Sequence, residues 1–435
     1  MARLGVATAA ALALAACSDV TSPSGVSPDD TPQLARVPQG GPEQVMAGEV
    51  IVKLRDAAQA QSVAAAHGLA VGYAGYRGAF VVMRGAAGAE RAAAARLAGD
   101  ARVLYAEPNY LRQPTAINSN LWAFYNPGGL NMKYTSGRYS GQFISSSYAS
   151  VADADEDNIE SYAAGGADVV IGSIDTGVDL THPEFTGRLI AGKDWYSNDN
   201  DPSDEDGHGT HTTGTMAGST VGVAGVSGAA PHVRVYVQRV CGKRGCPTSA
   251  IVSAIRAAAD YGVVAMNLSL GGSSESQAEK DAISYALSKN ALVIASAGND
   301  GTGTVSCPAC DPNAISVAAT TWQDKLASYS NWGSGLDIAA PGGQCYSNTT
   351  PEGCIYSAYK GGGYAWLQGT SMAAPQVTGT AAIVASKLGL RGSALRSRIE
   401  STADDKGAGG YDTTFGNGRL NSYRAVTGST LAAGQ

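Results

Sequence analysis

Apolar runs recur along the C-terminal two thirds of the chain, and stretches with helical apolar periodicity lie between them. Runs of this kind are typical of parallel strands that are buried on both faces. Five such runs lie at residues 169–174, 232–240, 263–270, 291–296 and 315–320. Helical stretches lie at residues 249–261, 277–288, 371–388 and 393–401. This alternation predicts an α/β domain with a doubly wound parallel sheet over residues 119–428.

A smaller unit precedes that domain. Residues 48–54 and 79–83 show strand-like apolar patterns, residues 57–67 and 90–97 are helix-like, and residues 102–110 form a closing strand pattern. Another strand is expected near Val71–Tyr76. The order predicts a small α+β domain of the ferredoxin-like type over residues 48–113.

Composition narrows the class of protein. With 435 residues, two or three domains are expected, and 44% hydrophobic residues exclude global disorder. The 56 glycines have no three-residue period, which excludes collagen. The net charge of −7 excludes the basic surface of a nucleic-acid binder. Residues 48–112 carry a net charge of +3, so the small unit could dock on an acidic body.

The N-terminus has the layout of an export signal. Arg3 is followed by an apolar run to Leu14-Ala-Ala16 and then by Cys17. This arrangement resembles a bacterial lipobox, in which the cysteine is lipidated. The alternative is an ordinary signal peptide with Cys17 incidental. We therefore expect a lipoprotein-type signal at 1–17 and a flexible Ser/Pro/Gly-rich linker at 18–47.

The cysteines agree with export. Six remain after Cys17, and an even number in an exported chain favours disulfides. They form three local pairs by position, but the sequence alone cannot choose among the alternative connectivities. Cys307-Pro-Ala-Cys310 could instead be a redox or metal motif, although no histidine or second cysteine pair lies at a suitable spacing. The local cysteine positions are Cys241, Cys246, Cys307, Cys310, Cys345 and Cys354.

Three short segments carry candidate chemistry at the ends of predicted elements. Asp175-Thr-Gly ends a buried strand, His208-Gly-Thr-His211 begins a helix, and Ser371 opens the last long helix. Separately, each has an ordinary structural interpretation: a turn-capping acid, helix-face histidines and an N-cap serine. His208 and His211 could also bind a metal, but no acidic residue stands between them. Together the acid, base and hydroxyl are what nucleophilic catalysis requires.

The three segments, ending in Gly369-Thr-Ser-Met-Ala-Ala-Pro375, resemble the signatures of subtilisin-type serine proteases, the subtilases. The resemblance extends over residues 165–425, and it implies the chain order Asp175, His208, Ser371 for the catalytic triad. It also implies that Asn299 donates to the oxyanion with the Ser371 amide. His211 is then a structural residue of the helix. The implied substrate-binding residues are Ser269, Leu270, Gly271, Ser296, Ala297 and Gly298.

Residues 48–113 resemble the pro-domain of that family, an intramolecular chaperone and inhibitor. The resemblance therefore implies an exported serine endopeptidase of broad specificity that is made as a self-processing zymogen. Its partners would be peptide and protein substrates and its own pro-domain, and it would be a monomer that contacts a membrane only through a lipid anchor. No nucleic acid and no organic cofactor are expected. The Tyr-rich residues 119–165 have no interpretation.

An acidic loop precedes the predicted base. Repulsion among its carboxylates would favour a bound cation, and Ca²⁺ prefers oxygen ligands. A solvated loop is the alternative. The predicted ligands of a structural calcium ion are Asp194, Asp199, Asp201 and Asp204. A non-enzymatic calcium-binding or adhesive surface lipoprotein is the competing function, and an intact triad with Asn299 argues against it.

Overall fold

The structure is a computed structural model. It describes residues 45–114, 117–118, 131–133, 143–145, 166–219, 225–227, 230, 232–321, 324–345 and 354–428. The predicted signal peptide with Cys17, nearly all of the linker and most of residues 119–165 lie outside these residues. Within the described part of the chain, no helix combines the length and apolar character that crossing a bilayer requires.

The N-terminal unit has the predicted α+β fold. Its elements are β1 (Val45–Leu54), α1 (Ala60–Ala66), β2 (Ala70–Ala74), β3 (Val81–Arg84), α2 (Glu90–Ala98) and β4 (Val103–Pro114). The strands pair antiparallel in the order β4-β1-β3-β2. Val50, Val63, Leu97 and Val103 belong to its own hydrophobic core. β4 continues beyond the predicted closing strand to Pro114, and this extension leaves the unit.

Short strands and the main α/β domain follow. The elements are β5 (Ile117–Asn118), β6 (Asn131–Lys133), β7 (Phe143–Ser145), β8 (Val169–Asp175), β9 (Leu189–Asp194), α3 (His208–Ala217), β10 (Val233–Arg239), β11 (Cys246–Pro247), α4 (Thr248–Tyr261), β12 (Ala265–Leu268), β13 (Leu270–Gly271), α5 (Gln277–Ser288), β14 (Leu292–Ser296), β15 (Ile315–Thr320), β16 (Ile338–Pro341), β17 (Ile355–Tyr359), β18 (Gly363–Gln368), α6 (Thr370–Leu388), α7 (Gly392–Ser401) and α8 (Ser422–Thr427).

The main sheet is parallel and has seven strands in the order β16-β15-β14-β12-β8-β10-β9. The five predicted strands form its centre, and β9 and β16 are edge strands that the apolar runs did not reveal. The order reverses around β8, so the carboxyl end of β8 lies where ligands bind in open α/β sheets.

Both faces of this sheet are covered. On one face Ile171 and Val235 pack in a cluster that includes Val377 of α6, and on the other Ile174 packs with Ile255 of α4. Each such buried aliphatic side chain contributes roughly 1.5–3 kcal/mol. Helix α6 is buried from Thr370 to Ser386, so its first turn is fixed in the interior.

Candidate active site

Asp175 ends β8 and is 1% exposed. Its Oδ1 accepts hydrogen bonds from the Thr176 amide at 2.7 Å and lies 2.6 Å from His208 Nδ1. Its Oδ2 accepts from Thr212 Oγ1 at 3.2 Å. The carboxylate is thus held from two sides, and one oxygen faces the imidazole directly.

Two glycines allow helix α3 to begin against the end of β8. Gly207 has φ of +114°, and a Cβ atom there would lie 2.2 Å from the Tyr359 ring. A Cβ atom on Gly209 would lie 2.0 Å from the Gly177 carbonyl oxygen. A larger residue at position 209 would push the helix away from the strand, and one at position 207 would collide with Tyr359 and be strained by the positive φ. The close approach brings His208 to Asp175.

His208 is fully buried, and its environment raises the pKa of the imidazole. Burial is the largest influence and by itself lowers the pKa, but the charge and hydrogen bond of Asp175 outweigh it, with smaller contributions from Asp206 and Asp204. His208 Nε2 is buried and has no hydrogen-bond partner. The nitrogen that would receive a proton is therefore free on the side away from Asp175.

Ser371 lies in the first turn of α6, next to Ser269. Its Oγ donates to the Ser269 carbonyl at 3.2 Å, and Ser269 Oγ donates to the Ser371 carbonyl at 2.7 Å. Pro375 has no N–H to offer the carbonyl four residues earlier, which is that of Ser371. The Ser269 hydroxyl replaces this missing helix bond and ties α6 to the segment that leads into β13.

Asn299 follows β14 and faces the start of α6. Its Oδ1 accepts from the Thr370 amide and from Thr370 Oγ1, both at 2.9 Å. Its Nδ2 is buried without a partner. These contacts fix the amide orientation, because the acceptor end is occupied twice, and they leave the donor end beside the first turn of α6.

The six predicted substrate-binding residues are all buried. They fall on two adjacent segments, Ser269–Gly271 at β13 and Ser296–Gly298 at the end of β14, and Ser296 Oγ lies 3.5 Å from the Leu270 carbonyl oxygen.

β4 runs antiparallel along this region. Its Gln113 and Pro114 pair with Gly271 and Leu270, and Leu111 and Arg112 pair with Pro247 and Cys246 of β11. The N-terminal unit therefore places an extended backbone on β11 and β13.

The prediction that His211 is structural agrees with its contacts. It is fully buried, and its Nε2 is hydrogen-bonded to the Ile355 and Ala365 carbonyls at 3.0 and 3.2 Å. Burial, and then the charge of His208, lower the pKa of His211 to about 3. The imidazole is neutral and joins α3 to the β17–β18 hairpin.

The four predicted calcium ligands make hydrogen bonds or ion pairs with protein groups in the structure. Asp194 pairs with Arg239 at 3.1 Å and accepts from the amides of residues 196 and 197. Asp199 accepts from the Asp201 amide, and Asp201 accepts from Ser203. Within the ranges given above, no group of three or more His, Cys, Asp or Glu residues is placed to hold a metal ion. Backbone amides, which the sequence pattern does not display, donate to all four carboxylates.

Asp204 has a structural role that the sequence did not indicate. One oxygen accepts from Thr176 Oγ1 and from the Asp206 and Gly207 amides, and the other accepts from the Thr210 amide and hydroxyl, at distances of 2.5 to 2.9 Å. Thr176 adjoins Asp175, and Gly207 adjoins His208. A single carboxylate therefore joins the strand end to the helix start.

We expect Asp204→Ala to lower the free energy of unfolding by about 1–2 kcal/mol, the usual cost of a lost helix cap. Denaturant unfolding of a Ser371→Ala background, in which autolysis is removed, measures the change. Asp201→Ala is the matched control, because Asp201 is exposed and its carboxylate accepts from Ser203, which does not belong to α3. Equal stability of the two variants would contradict the capping role.

The six cysteines in the main domain form three disulfides, Cys241–Cys246, Cys307–Cys310 and Cys345–Cys354. The structure thereby selects the local connectivity among the alternatives that the sequence left open. Cys307 and Cys310 are bonded to each other, in place of the redox or metal motif that was the alternative.

Two parts of the chain match known families. Residues 166–418 match the subtilase family, and residues 32–109 match the fervidolysin N-terminal prodomain. The first match covers the β8–α6 region with Asp175, His208 and Ser371. The second overlaps the N-terminal α+β unit.

Named relatives agree with these matches. Thermitase of Thermoactinomyces vulgaris is 39% identical over 264 residues, which are 60% of this chain and 90% of thermitase. A thermophilic serine proteinase of Bacillus sp. (strain AK1) is 43% identical over 258 residues, but these span 59% of this chain and only 61% of that protein. Subtilisin DY of Bacillus licheniformis is 37% identical over 273 residues, covering 61% of this chain and 93% of that protein.

The fold is similar to that of a solved structure. The crystal structure of fervidolysin from Fervidobacterium pennivorans, described as a keratinolytic enzyme related to subtilisin, has a TM-score of 0.71. It shares 24% sequence identity, and the comparison covers 95% of this chain and 66% of fervidolysin. This likeness includes the N-terminal unit as well as the main domain.

Proposed function

Because the chain belongs to the subtilase family and is a serine endopeptidase with a fervidolysin-type pro-domain, we propose that Asp175, His208 and Ser371 are its catalytic triad. We further propose that Asn299 donates to the oxyanion. The protein is then an exported endopeptidase of broad specificity that is made as a self-processing zymogen. A structural calcium ion at Asp194, Asp199, Asp201 and Asp204 stays a prediction from the sequence.

Two unsatisfied nitrogens carry this proposal. His208 Nε2 and Asn299 Nδ2 are buried polar atoms without a hydrogen-bond partner, which folded proteins usually avoid. His208 Nε2 is the atom at which a general base would accept the proton of the nucleophile. Asn299 Nδ2 is a hydrogen-bond donor beside the first turn of α6. A peptide substrate would satisfy both, because its reaction supplies a proton to the first and a negative oxygen to the second.

The proposed reaction uses these residues as follows. Ser371 Oγ gives up its bond to the Ser269 carbonyl and attacks the peptide carbonyl while His208 Nε2 takes its proton. Asp175 keeps the other imidazole proton on Nδ1 and stabilises the positive ring. Asn299 Nδ2 and the Ser371 amide donate to the oxyanion. His208 then protonates the leaving amine. In the second half of the reaction, water takes the place of the amine: His208 accepts its proton, the water oxygen attacks the acyl carbonyl, and His208 returns the proton to Ser371 Oγ as the acyl group leaves.

The pro-domain contacts the start of two helices of the main domain. Glu107 accepts from Ser276 Oγ at 2.7 Å and from the amides of residues 277 and 278, both at 2.9 Å, where α5 begins. Asn109 Oδ1 accepts from the Ser249 amide at 3.0 Å near the start of α4. Unpaired helix amides favour such acceptors. Burial raises the pKa of Glu107. This docking supports an inhibitor role for the pro-domain.

The chain on both sides of residues 115–116 pairs with the main domain near Ser371. Gln113 and Pro114 pair with β13, and Ile117 and Asn118 pair with Gln368 and Leu367 of β18, which ends three residues before Ser371. We therefore propose that the first cut falls between Pro114 and Ile117. Attachment to the enzyme makes this cut intramolecular, which raises its rate greatly.

A fluorophosphonate probe tests the proposed nucleophile. We expect it to label the processed protein at Ser371 and to label neither a Ser371→Ala variant nor heat-unfolded protein. The labelled peptide is identified by mass spectrometry after digestion. Labelling at another serine, or no labelling of a fully processed and folded sample, would refute the assignment.

We expect Asn299→Ala to lower kcat by roughly 10²–10³-fold, the usual cost of one lost oxyanion donor. Asn299→Asp is the matched variant, because it keeps the acceptor for Thr370 but has no N–H to donate. Both should lose kcat with little change in KM. If Asn299→Asp retained wild-type kcat, the loss in Asn299→Ala would come from the Thr370 contacts instead.

Specificity is expected to be broad. Gly271, Ala297 and Gly298 are small and uncharged, so the primary pocket should accept large apolar or aromatic side chains. Such pockets discriminate by only ~1–3 kcal/mol per methylene. A peptide-library cleavage profile measures this preference, and a strict requirement for Arg or Lys would contradict it.

Export rests on the signal-like residues 1–17 and on the disulfides, which persist in oxidising compartments. Lipidation of Cys17 stays a prediction from the sequence. Fractionation of cells that express wild-type protein and a Cys17→Ala variant would show whether that residue retains the protein on a membrane.

A further inference from the structure

Two of the three disulfides support the two short strands that pair with the pro-domain's backbone. Cys246 belongs to β11, and Cys307 is hydrogen-bonded to the residue that follows β13. We propose that Cys241–Cys246 and Cys307–Cys310 determine specificity, because each holds one edge of the peptide-binding cleft in position. This inference rests on the proposed function, since it concerns how the same cleft binds an extended peptide.

Cys307–Cys310 holds the edge next to the nucleophile. The Cys307 amide donates to the Gly272 carbonyl at 2.8 Å, and the Gly272 amide donates to the Cys307 carbonyl at 2.9 Å. The Ser306 amide donates to the Ala297 carbonyl at 2.8 Å. Gly272 directly follows β13, and Ala297 lies in the opposite wall of the pocket. The segment closed by this disulfide therefore joins both walls.

The segment around Cys307–Cys310 lies so close to the primary pocket that a small movement of the segment would change the shape of the pocket. A Cβ atom on Gly298 would lie 2.3 Å from Ser306 Oγ, so the wall and the segment are in contact. The Cys310 amide donates to the Ser306 carbonyl at 3.0 Å, which makes a tight turn that encloses the disulfide loop. A shift of Ser306 would move the wall of the primary pocket with it.

Cys241–Cys246 holds the other edge. The Cys241 amide lies 3.2 Å from the Asp175 carbonyl oxygen, so one end of the disulfide is fixed to the carboxyl end of β8. The other end, Cys246, is the first residue of β11, and both cysteines are at most 1% exposed. Between them Gly242 and Gly245 exchange backbone hydrogen bonds. The loop is therefore a rigid arm that carries β11.

Covalent support is needed because β11 and β13 are only two residues long each. Strands this short have too few backbone hydrogen bonds to set their own position. A short closed loop removes alternative positions of the chain that would otherwise compete with the binding geometry.

The two edges bind different parts of a peptide. β13 pairs with Gln113 and Pro114, which immediately precede the proposed cut, and β11 pairs with Leu111 and Arg112, which lie farther from it. The disulfides should therefore act on different substrate positions. Cys307–Cys310 should affect binding next to the cut, and Cys241–Cys246 should affect only longer substrates.

The test compares two substrates on each processed variant. One chromogenic peptide carries two residues before the leaving group, and the other carries five with the same two residues nearest the leaving group. Cys241→Ser/Cys246→Ser should lower the long-to-short ratio of kcat/KM about tenfold, the effect of one or two lost net hydrogen bonds, because only the long substrate reaches β11. Cys307→Ser/Cys310→Ser should lower kcat/KM for both substrates and broaden the preference at the residue before the cut.

Cys345→Ser/Cys354→Ser is the control, because neither cysteine belongs to β11 or β13 or adjoins them in the chain. This variant should leave the ratio unchanged. The ratio is insensitive to the folded fraction, since both substrates are measured on one preparation. If a variant does not fold, the same long-to-short ratio is measured on the wild-type enzyme after graded reduction of its disulfides. An inactive wild type would refute the proposed function, whereas an active wild type with equal ratios in all variants would refute only the role of the disulfides.

Discussion

Ser371→Ala should accumulate as an unprocessed chain and hydrolyse no peptide. The substitution removes the hydroxyl but keeps a small side chain at a buried position, so α6 should begin at the same residue. We expect kcat to fall by about 2 × 10⁶-fold, the loss known for the same change in subtilisin. The fold should persist with the pro-domain attached, since the contacts of Glu107 and Asn109 do not involve Ser371.

Intact mass and N-terminal sequencing measure the outcome. The wild type should yield a mature chain that begins after Pro114 and no later than Ile117, and the variant should keep its pro-domain. A trace of active wild-type enzyme added to the variant controls for access to the cut, because cleavage in trans would then show that the site is intact. Normal processing of Ser371→Ala without a helper protease would overturn the mechanism.

The sequence predicts the centre of the fold better than its edges. A central strand of this sheet is covered on both faces, so most of its residues are apolar, as in β8 and β14. β9 contains Gly192 and Lys193 and is half-buried at the edge of the sheet. β16 has only four residues and ends at Pro341. Neither leaves a long apolar run, so the position of these strands depends on tertiary packing.

The active site shows the same division. The proposed triad of Asp175, His208 and Ser371 can be found in the sequence because the proposed chemistry requires one residue type at each position and the flanking glycines reflect close backbone contacts. The partners that set their geometry are ordinary residues, such as Asp204 and Thr212, whose roles depend on hydrogen bonds across the fold. The calcium site stays a prediction from the sequence, because a count of carboxylates does not reveal the backbone donors that also bind these side chains.

Asp175→Asn should lower kcat by about 3 × 10⁴-fold, the size of the loss when the equivalent acid is removed in subtilisin. An amide nitrogen facing His208 Nδ1 would donate to it, which favours the tautomer with the proton on Nε2, the atom that must accept the Ser371 proton. Asp175 also supplies the charge and hydrogen bond that outweigh burial and raise the pKa of His208. Without them the pKa should fall, so the acidic limb of the pH–kcat profile should move to lower pH.

Asp206→Asn separates the loss of charge from the change of tautomer. Asp206 also raises the pKa of His208, but it accepts from the His208 backbone amide at 3.2 Å and does not contact the ring. Its replacement should move the acidic limb slightly to lower pH and leave the plateau within a few-fold of wild type. Because a base must be neutral to accept a proton, the rate rises with pH through the pKa of His208 in every variant. A large loss of plateau rate in Asp206→Asn would show that charge rather than tautomer sets the rate. A small loss in Asp175→Asn would refute the orienting role of Asp175 altogether.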